Sequence, residues 1–326
     1  MKYKELFLIL VVFLFSLVAC NAVSAASHKV VWSDDRDLTN MHVYYKNLET
    51  GTEKRVSSTD SNQRNPSISG SIVVWADDRD GGYDTHIYYK NMVTGHGGRL
   101  ISTNSNQEDP KISGYNVVWT DDRDGNSHIY YKNLVTGHGG RVTNFNSNQG
   151  EPSISGSTVV WYDNRNGGYR VYYKNLSTGT GGRITSTDST QWDPSISGNN
   201  VVWWDDRGGS NHIYYRNLVT GIGGKLSGAY LSPSDLKISG NIVVWSDDQD
   251  GEHNSFIYYK NLSTGMGGRI ISTDSNQIFP SISSNIVVWS DDRGGSNYHI
   301  YYKNLSTGIG GRLSSTDSYQ RTPAIS

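Results

Sequence analysis

The stretch PKISGYNVVWTDDRDGNSHIYYKNLVTGHGGRVT (110–143) decides the fold. Pro110 to Ser113 reads as a short inner strand, Gly114-Tyr115-Asn116 as a tight turn, and Val117 to Asp121 as a second strand. Asp122 to Ser127 reads as a loop and His128 to Leu134 as a third strand. Val135 to Gly140 reads as a glycine turn, and Arg141-Val142-Thr143 as the start of a fourth strand. β-Branched and aromatic residues fill the strands, while Gly, Asn, Asp and Ser fill the turns. The Val-Val-Trp and Ile-Tyr-Tyr runs are bulky on both faces. Such strands need cover on both sides, which stacking between neighbouring sheets supplies.

The same pattern recurs along the chain. Val-Val-Trp occurs seven times, with its Trp at 32, 75, 119, 161, 203, 245 and 289 and spacings of 42 to 44 residues. That period is the size of a four-stranded propeller blade, about 40–45 residues. The first unit opens at His28 without an inner strand, and Pro323-Ala324-Ile325-Ser326 is an inner strand with no unit after it. Joining the two predicts an all-β, seven-bladed β-propeller with four antiparallel strands per blade. The C-terminal strand would close the ring by pairing into blade one, leaving no open inner edge. A piece of a longer array is the alternative. Only one segment varies in length: the loop from the Asp-Asp-Arg arginine to the third strand holds 5, 6, 4, 4, 4, 6 and 5 residues. Tolerance of length change marks an exposed loop, and its rim is the variable face.

Composition excludes several function classes. The formal net charge is −2, and removing Lys2, Lys4 and Glu5 with an export signal makes it −3. A near-neutral chain without Lys or Arg clusters has no footprint for nucleic acid, which needs a basic face. Residues 1–26 read as a signal peptide and 27–326 as a single propeller domain. Lys2 and Lys4 precede an apolar run from Leu6 to Ala19, which is too short to span a membrane comfortably. Two processing readings stay open. Val23-Ser24-Ala25 fits ordinary cleavage, and Leu17-Val18-Ala19-Cys20 fits a lipobox that would lipidate Cys20. No second hydrophobic span follows. The expected location is extracellular or on the cell surface, free or lipid-anchored, and the expected state is a monomer.

The repeated motifs favour structure over chemistry. Asp-Asp-Arg appears in five units and decays to Asp163-Asn164-Arg165 and Asp247-Asp248-Gln249. Repetition in every blade suits loop bracing, with the Arg reaching the next blade. His42, His86, His128, His212 and His299 recur before the third strand, too far out for a shared metal, so a His–Asp pair across one hairpin is expected. No metal site and no cofactor are expected. Asn175, Asn261 and Asn304 begin Asn-x-Ser sequons on the face opposite the variable loops, as glycan acceptors or as ordinary turn residues.

Catalysis needs unlike groups converging once, which sevenfold repetition opposes. Glu49, Glu53, Glu108, Glu151 and Glu252 are each unrepeated and have no evident acid–base partner in the sequence. No catalytic residue is assigned. Symmetry breaks instead at aromatics of neighbouring units: Tyr162 and Trp204 after the Val-Val-Trp triplet, Tyr169 in a variable loop, and Trp192 before the inner strand. These four are the candidate ligand-binding residues, suited to stacking on sugars or anchoring a protein.

The run VVWTDDRDGNSHIYYKNLVTG (117–137) resembles TolB-like propeller repeats, with their Asp-Arg-Asp-Gly loop and Ile-Tyr strand. The VVW, DDR, IYYKNL and PSISG segments resemble more closely the β-propeller repeat of methanogen-type cell-surface proteins. The likeness covers residues 28–326. It implies a secreted propeller with a surface or adhesion role and carries over no catalytic residue. The expected function is a non-catalytic binding or scaffold module for an envelope protein or cell-surface glycan. The alternatives are a carbohydrate-active enzyme, a lyase or glycosidase, and a self-assembling envelope component. A single asymmetric pocket of unlike charges would favour the enzyme, and an even polar rim with an aromatic patch would favour binding.

Overall fold

The computed structural model describes residues 28–326 apart from 38, 82–83, 210, 227–233, 249–253 and 294. The export signal, its two processing readings and Cys20 lie outside the described residues. The described chain forms seven four-stranded antiparallel sheets. In the blade built on the stretch quoted above, the order from the axis outward is Gln107–Ser113, Asn116–Asp121, His128–Asn133 and Gly139–Arg141. Blade one is assembled from both termini: Gln320–Ile325 pairs with Lys29–Asp34, setting Val30 opposite Ile325 and Asp34 opposite Gln320. The ring therefore closes as the strand tally predicts.

Two strand ends differ from the sequence reading. The outer strand begins at Gly139, inside the expected glycine turn, because Gly139 pairs with Lys132. A Cβ on Gly139 would sit 2.5 Å from the Tyr131 carbonyl oxygen, so this close pairing requires glycine. The inner strand begins earlier, at Gln107, and bulges between Glu108 and Lys111. Its extra residue, Asp109, is left-handed, with φ of 50°. The equivalent Asn65, Glu151, Asp193, Asp235, Phe279 and Thr322 are all left-handed too, at 46–57°. Proline follows in six of the seven blades and removes an N–H that the bulge would leave unpaired. A bulge re-aims the side chain it carries. Here it turns one residue per blade onto the central channel.

The core is divided into seven clusters, one between each pair of blades. Val118, Ile129 and Val142 of blade three pack on Ile154, Val159, Trp161 and Tyr172 of blade four. Val288, Ile300 and Leu313 of blade seven pack likewise on Val30, Trp32, Tyr44 and Ile325 of blade one. Burying each such side chain stabilises the ring by about 1.5–3 kcal/mol. The lysine of Ile-Tyr-Tyr-Lys adds a polar staple. Lys132 Nζ donates to the Leu100 carbonyl at 2.8 Å and Lys174 to that of Val142 at 2.7 Å, each in the preceding blade.

Candidate binding site in the channel

The seven bulge residues give the channel an uneven lining. Four consecutive blades, three to six, supply the carboxylates Asp109, Glu151, Asp193 and Asp235. The other three supply Phe279, Thr322 and Asn65. Two residues further on, Lys111 and Lys237 replace the serine found in blades two, four, five and seven. A cavity of about 410 Å³ is walled by the four carboxylates, both lysines, Trp192 and Trp204. A second, of about 330 Å³, shares Asp109, Lys111, Asp235 and Lys237 and is completed by Phe279 and the prolines of the remaining blades.

Each carboxylate is fixed by the neighbouring blade through one oxygen. Glu151 Oε2 accepts from the Asp193 backbone N–H at 2.7 Å, and Asp193 Oδ2 from that of Leu236 at 2.7 Å. Asp235 Oδ2 accepts from the Phe279 N–H at 3.3 Å, and Asp109 Oδ1 from the Asn65 amide at 3.0 Å. Lys237 Nζ lies 4.0 Å from Asp193 and donates to the Leu236 carbonyl at 3.1 Å. Burial, reinforced by the Asp193 charge, pushes the Glu151 carboxyl up to about 7. Burial also raises Asp235 and lowers Lys111. Glu151, which has no evident acid–base partner in the sequence, is brought here beside three other carboxylates and two lysines that line the cavity with it. The signal was present in the residue just before each inner-strand proline, which reads Thr, Asn, Asp, Glu, Asp and Phe in blades one to five and seven. It went unseen because the bulge that turns this position inward has no mark in the sequence beyond that proline.

The four aromatic candidates form two pairs on blades four and five. Trp192 lies opposite Trp204 in the sheet register, and their rings stack at 6.1 Å between centroids. Trp204 is buried at 2 % exposure, while Trp192 is half-buried; both line the larger cavity. Tyr162 lies over Gly150, where any Cβ would collide with its hydroxyl. Tyr169, 42 % exposed, meets Tyr162 edge-on at 5.0 Å. Burial and then the Glu151 charge push the Tyr162 hydroxyl up to about 12, which ties this pair electrostatically to the carboxylates.

The repeated polar motifs are occupied within the fold. Asp121 accepts hydrogen bonds from the Trp119 indole at 3.0 Å, Ser105 at 2.8 Å and the Arg123 backbone at 3.0 Å. Arg123 pairs with this same Asp121 and lies 4.0 Å above the Tyr130 ring. The arginine therefore works mainly inside its own blade, not on the next, because the tight turn folds it back over the third strand. His42 and His86 lie 3.2 and 3.1 Å from Asp37 and Asp80 across the hairpin, but His299 meets Asp317 instead. Burial and then a neighbouring cation lower these three histidines and the equivalent His128 and His212. Asn175, Asn261 and Asn304 each accept two backbone N–H bonds through Oδ1, closing the turn, as Asn133 does without a sequon. Among the described residues, no group of three or more His, Cys, Asp or Glu is placed to hold a metal ion.

Comparison with known proteins agrees with this architecture. The chain is similar in fold to TolB from Acinetobacter baumannii, with a TM-score of 0.56 and 17 % identity over 87 % of this chain and 78 % of that one. It is also similar to an oligogalacturonate lyase in complex with manganese, with a TM-score of 0.61 and 14 % identity over 90 % and 87 % of the two chains. A prolyl endopeptidase matches with a TM-score of 0.66 and 12 % identity over 92 % of this chain, which spans about half (50 %) of its length. At such identities the likeness is one of fold. No curated protein matches the chain in sequence. The model of the 10-bladed beta propeller domain matches residues 20–266, and the chain belongs to that family, here with seven blades.

Proposed function

We propose that the chain is an exported, cell-surface binding module that takes a carbohydrate in the channel cavity of blades three to six. The observation that carries this reading is the half-buried Trp192, held flat by Trp204, beside a wall that offers both donors and acceptors. Ring hydroxyls need both kinds of partner, and the apolar face of a sugar needs an aromatic surface. The lysines and Ser153, Ser195 and Ser234 can donate, and the carboxylates can accept. The cell-surface placement rests on the signal-like N-terminus and on the likeness to surface-protein repeats. The test is a glycan array followed by titration of the captured oligosaccharide. Trp192→Ala is expected to weaken binding at least tenfold, about 1.4 kcal/mol, with its melting curve little changed. Tyr169→Ala, outside the cavity wall, should cost less. Wild-type protein that captures no glycan, or a Trp192→Ala variant that binds as wild type, would refute the reading.

A second reading is a carbohydrate-active enzyme. The asymmetric pocket of unlike charges favours it, as does a Glu151 carboxyl raised to about 7 beside other carboxylates. Against it, Glu151 and Asp193 stand side by side on adjacent blades, the Asp193 N–H bonded to Glu151, and do not face each other across a bond to be cleaved. Cleavage of the captured oligosaccharide that disappears in Glu151→Gln would establish the enzyme.

A further inference from the structure

The cavity holds an unbalanced set of charges. Four carboxylates face it and only two lysines. Each carboxylate spends one oxygen on the neighbouring blade. Among the described residues, no protein hydrogen bond reaches the other oxygens, Asp109 Oδ2, Glu151 Oε1, Asp193 Oδ1 and Asp235 Oδ1. The lysines do little to balance this excess. Lys237 stays 4.0 Å from Asp193, and Lys111 Nζ donates at 3.4 Å to the Pro110 carbonyl of its own strand. Unspent acceptors in a confined space call for a donor-rich cation.

The shape and the remaining groups narrow its kind. A bare metal ion would leave most of about 410 Å³ empty, and no three of these groups are placed to coordinate one. A plain alkylammonium or guanidinium only donates, so it has no use for the lysines and serines on the same wall. Trp204, also on the wall, keeps a buried indole N–H with no acceptor among the described residues. The lysines and serines need hydroxyl oxygens, and the Trp192 face needs a ring. An acidic sugar would meet like charge.

We infer that the sugar taken here is an amino sugar, whose protonated amine lies among Asp109, Glu151, Asp193 and Asp235 while its ring lies on Trp192. This rests on the carbohydrate reading above. It carries a pH dependence. Glu151 is faced by Asp109, Asp193, Asp235, Lys111, Lys237 and the Tyr162 hydroxyl, and its carboxyl is raised to about 7. Below that pH the free site holds a proton on Glu151. An arriving ammonium favours the ionised form and drives that proton off, so affinity falls as pH drops from 7 to 5.5.

The test is calorimetric titration of the full propeller with β-1,4-linked disaccharides of glucosamine, of N-acetylglucosamine and of glucose, and with butylamine. At pH 7 the glucosamine disaccharide is expected to bind at least tenfold more tightly than the other three. Its heat at pH 6.5 should vary with the ionisation enthalpy of the buffer, reporting proton release. Glu151→Gln should abolish that release and cost at least tenfold for the amino sugar, a larger loss than for the glucose disaccharide. Asp109→Asn provides a second variant should Glu151→Gln fold poorly. If the acetylated or neutral disaccharide binds as tightly and loses affinity in Trp192→Ala, the amine is overturned and the carbohydrate reading stands. Equal binding of butylamine overturns the sugar ring. No binding by any of the disaccharides overturns both.

Discussion

A chain ending at Ser318 is expected to melt on the order of 10 °C below the full-length propeller and to aggregate on heating. The eight residues removed supply the whole inner strand of blade one. Their loss breaks the pairing of Val30 with Ile325 and of Asp34 with Gln320, along with the reciprocal bonds between Lys29 and Ser326. Gln320 matters doubly: its side-chain Oε1 accepts from the Ile300 N–H of blade seven at 3.1 Å, and its Nε2 donates to Asp34 of blade one at 3.0 Å. It thus ties the last blade to the first across the closure. Ile325 leaves the cluster that joins those blades, and Val30 and Trp32 gain an open strand edge beside them. An unpaired edge next to apolar residues is a template for intermolecular pairing. Scanning calorimetry with light scattering gives the reading, and adding the peptide of residues 319–326 in trans should recover part of the melting temperature. A truncated chain that melts within about 2 °C of full length would mean that other contacts hold the ring shut.

Most of the fold was legible because its information is repeated. Seven Val-Val-Trp triplets at spacings of 42 to 44 residues announce the blade, and the inner strand missing from the first unit, with the spare one at Pro323 to Ser326, announces the closure. What repetition could not convey was backbone detail. The outer strand hides inside a glycine run because pairing there depends on the absence of a Cβ, not on a side chain with strand preference. The inner-strand bulge was hidden for the opposite reason: Glu151, Phe279 and Thr322 carry side chains that rarely adopt a positive φ, so a sequence reading has no cause to place them there.

The site was legible in part for the same reason. A search for broken symmetry picks out large aromatics readily, and Trp192, Trp204, Tyr162 and Tyr169 fall into two adjacent pairs beside one cavity. The carboxylates were missed because each looked solitary along the chain, some 42 residues from the next. A propeller brings equivalent positions of successive blades to one axis. The informative comparison is therefore down a column of the repeat, where an acidic run over blades three to six stands out against Phe279, Thr322 and Asn65.

The second large effect should come from the repeated aspartate that ends the Val-Val-Trp strand. Asp121→Ala is expected to destabilise the propeller by about 3 kcal/mol or more, the scale of breaking a buried ion pair from one side. Asp121 is fully buried and gathers the Trp119 indole, the Ser105 hydroxyl, the Arg123 backbone and the Arg123 guanidinium around one carboxylate. Removal leaves the indole N–H and the hydroxyl without their acceptor inside the blade interface, and it frees the cation that stacks on Tyr130. Asp122→Ala is the control. Asp122 is exposed and its carboxylate accepts the Asn106 backbone N–H at 3.0 Å, so its loss should cost about 1 kcal/mol or less. The same network sets the acid limit. Burial alone would raise these aspartates, but the bonds from arginine, joined in every case but Asp163 by the indole, outweigh it and hold Asp34, Asp77, Asp121, Asp163 and Asp291 low, with Asp205 down to about 2. A depressed carboxylate contributes stability that is fully present above its unfolded pKa of about 3.9 and is lost as pH falls toward the folded value. Urea titrations between pH 6 and pH 2 should therefore show a steep loss of stability only below pH about 4, shallower in Asp121→Ala than in the parent. Equal costs for Asp121→Ala and Asp122→Ala would mean that the triplet acts as a loop cap and not as the anchor of the blade.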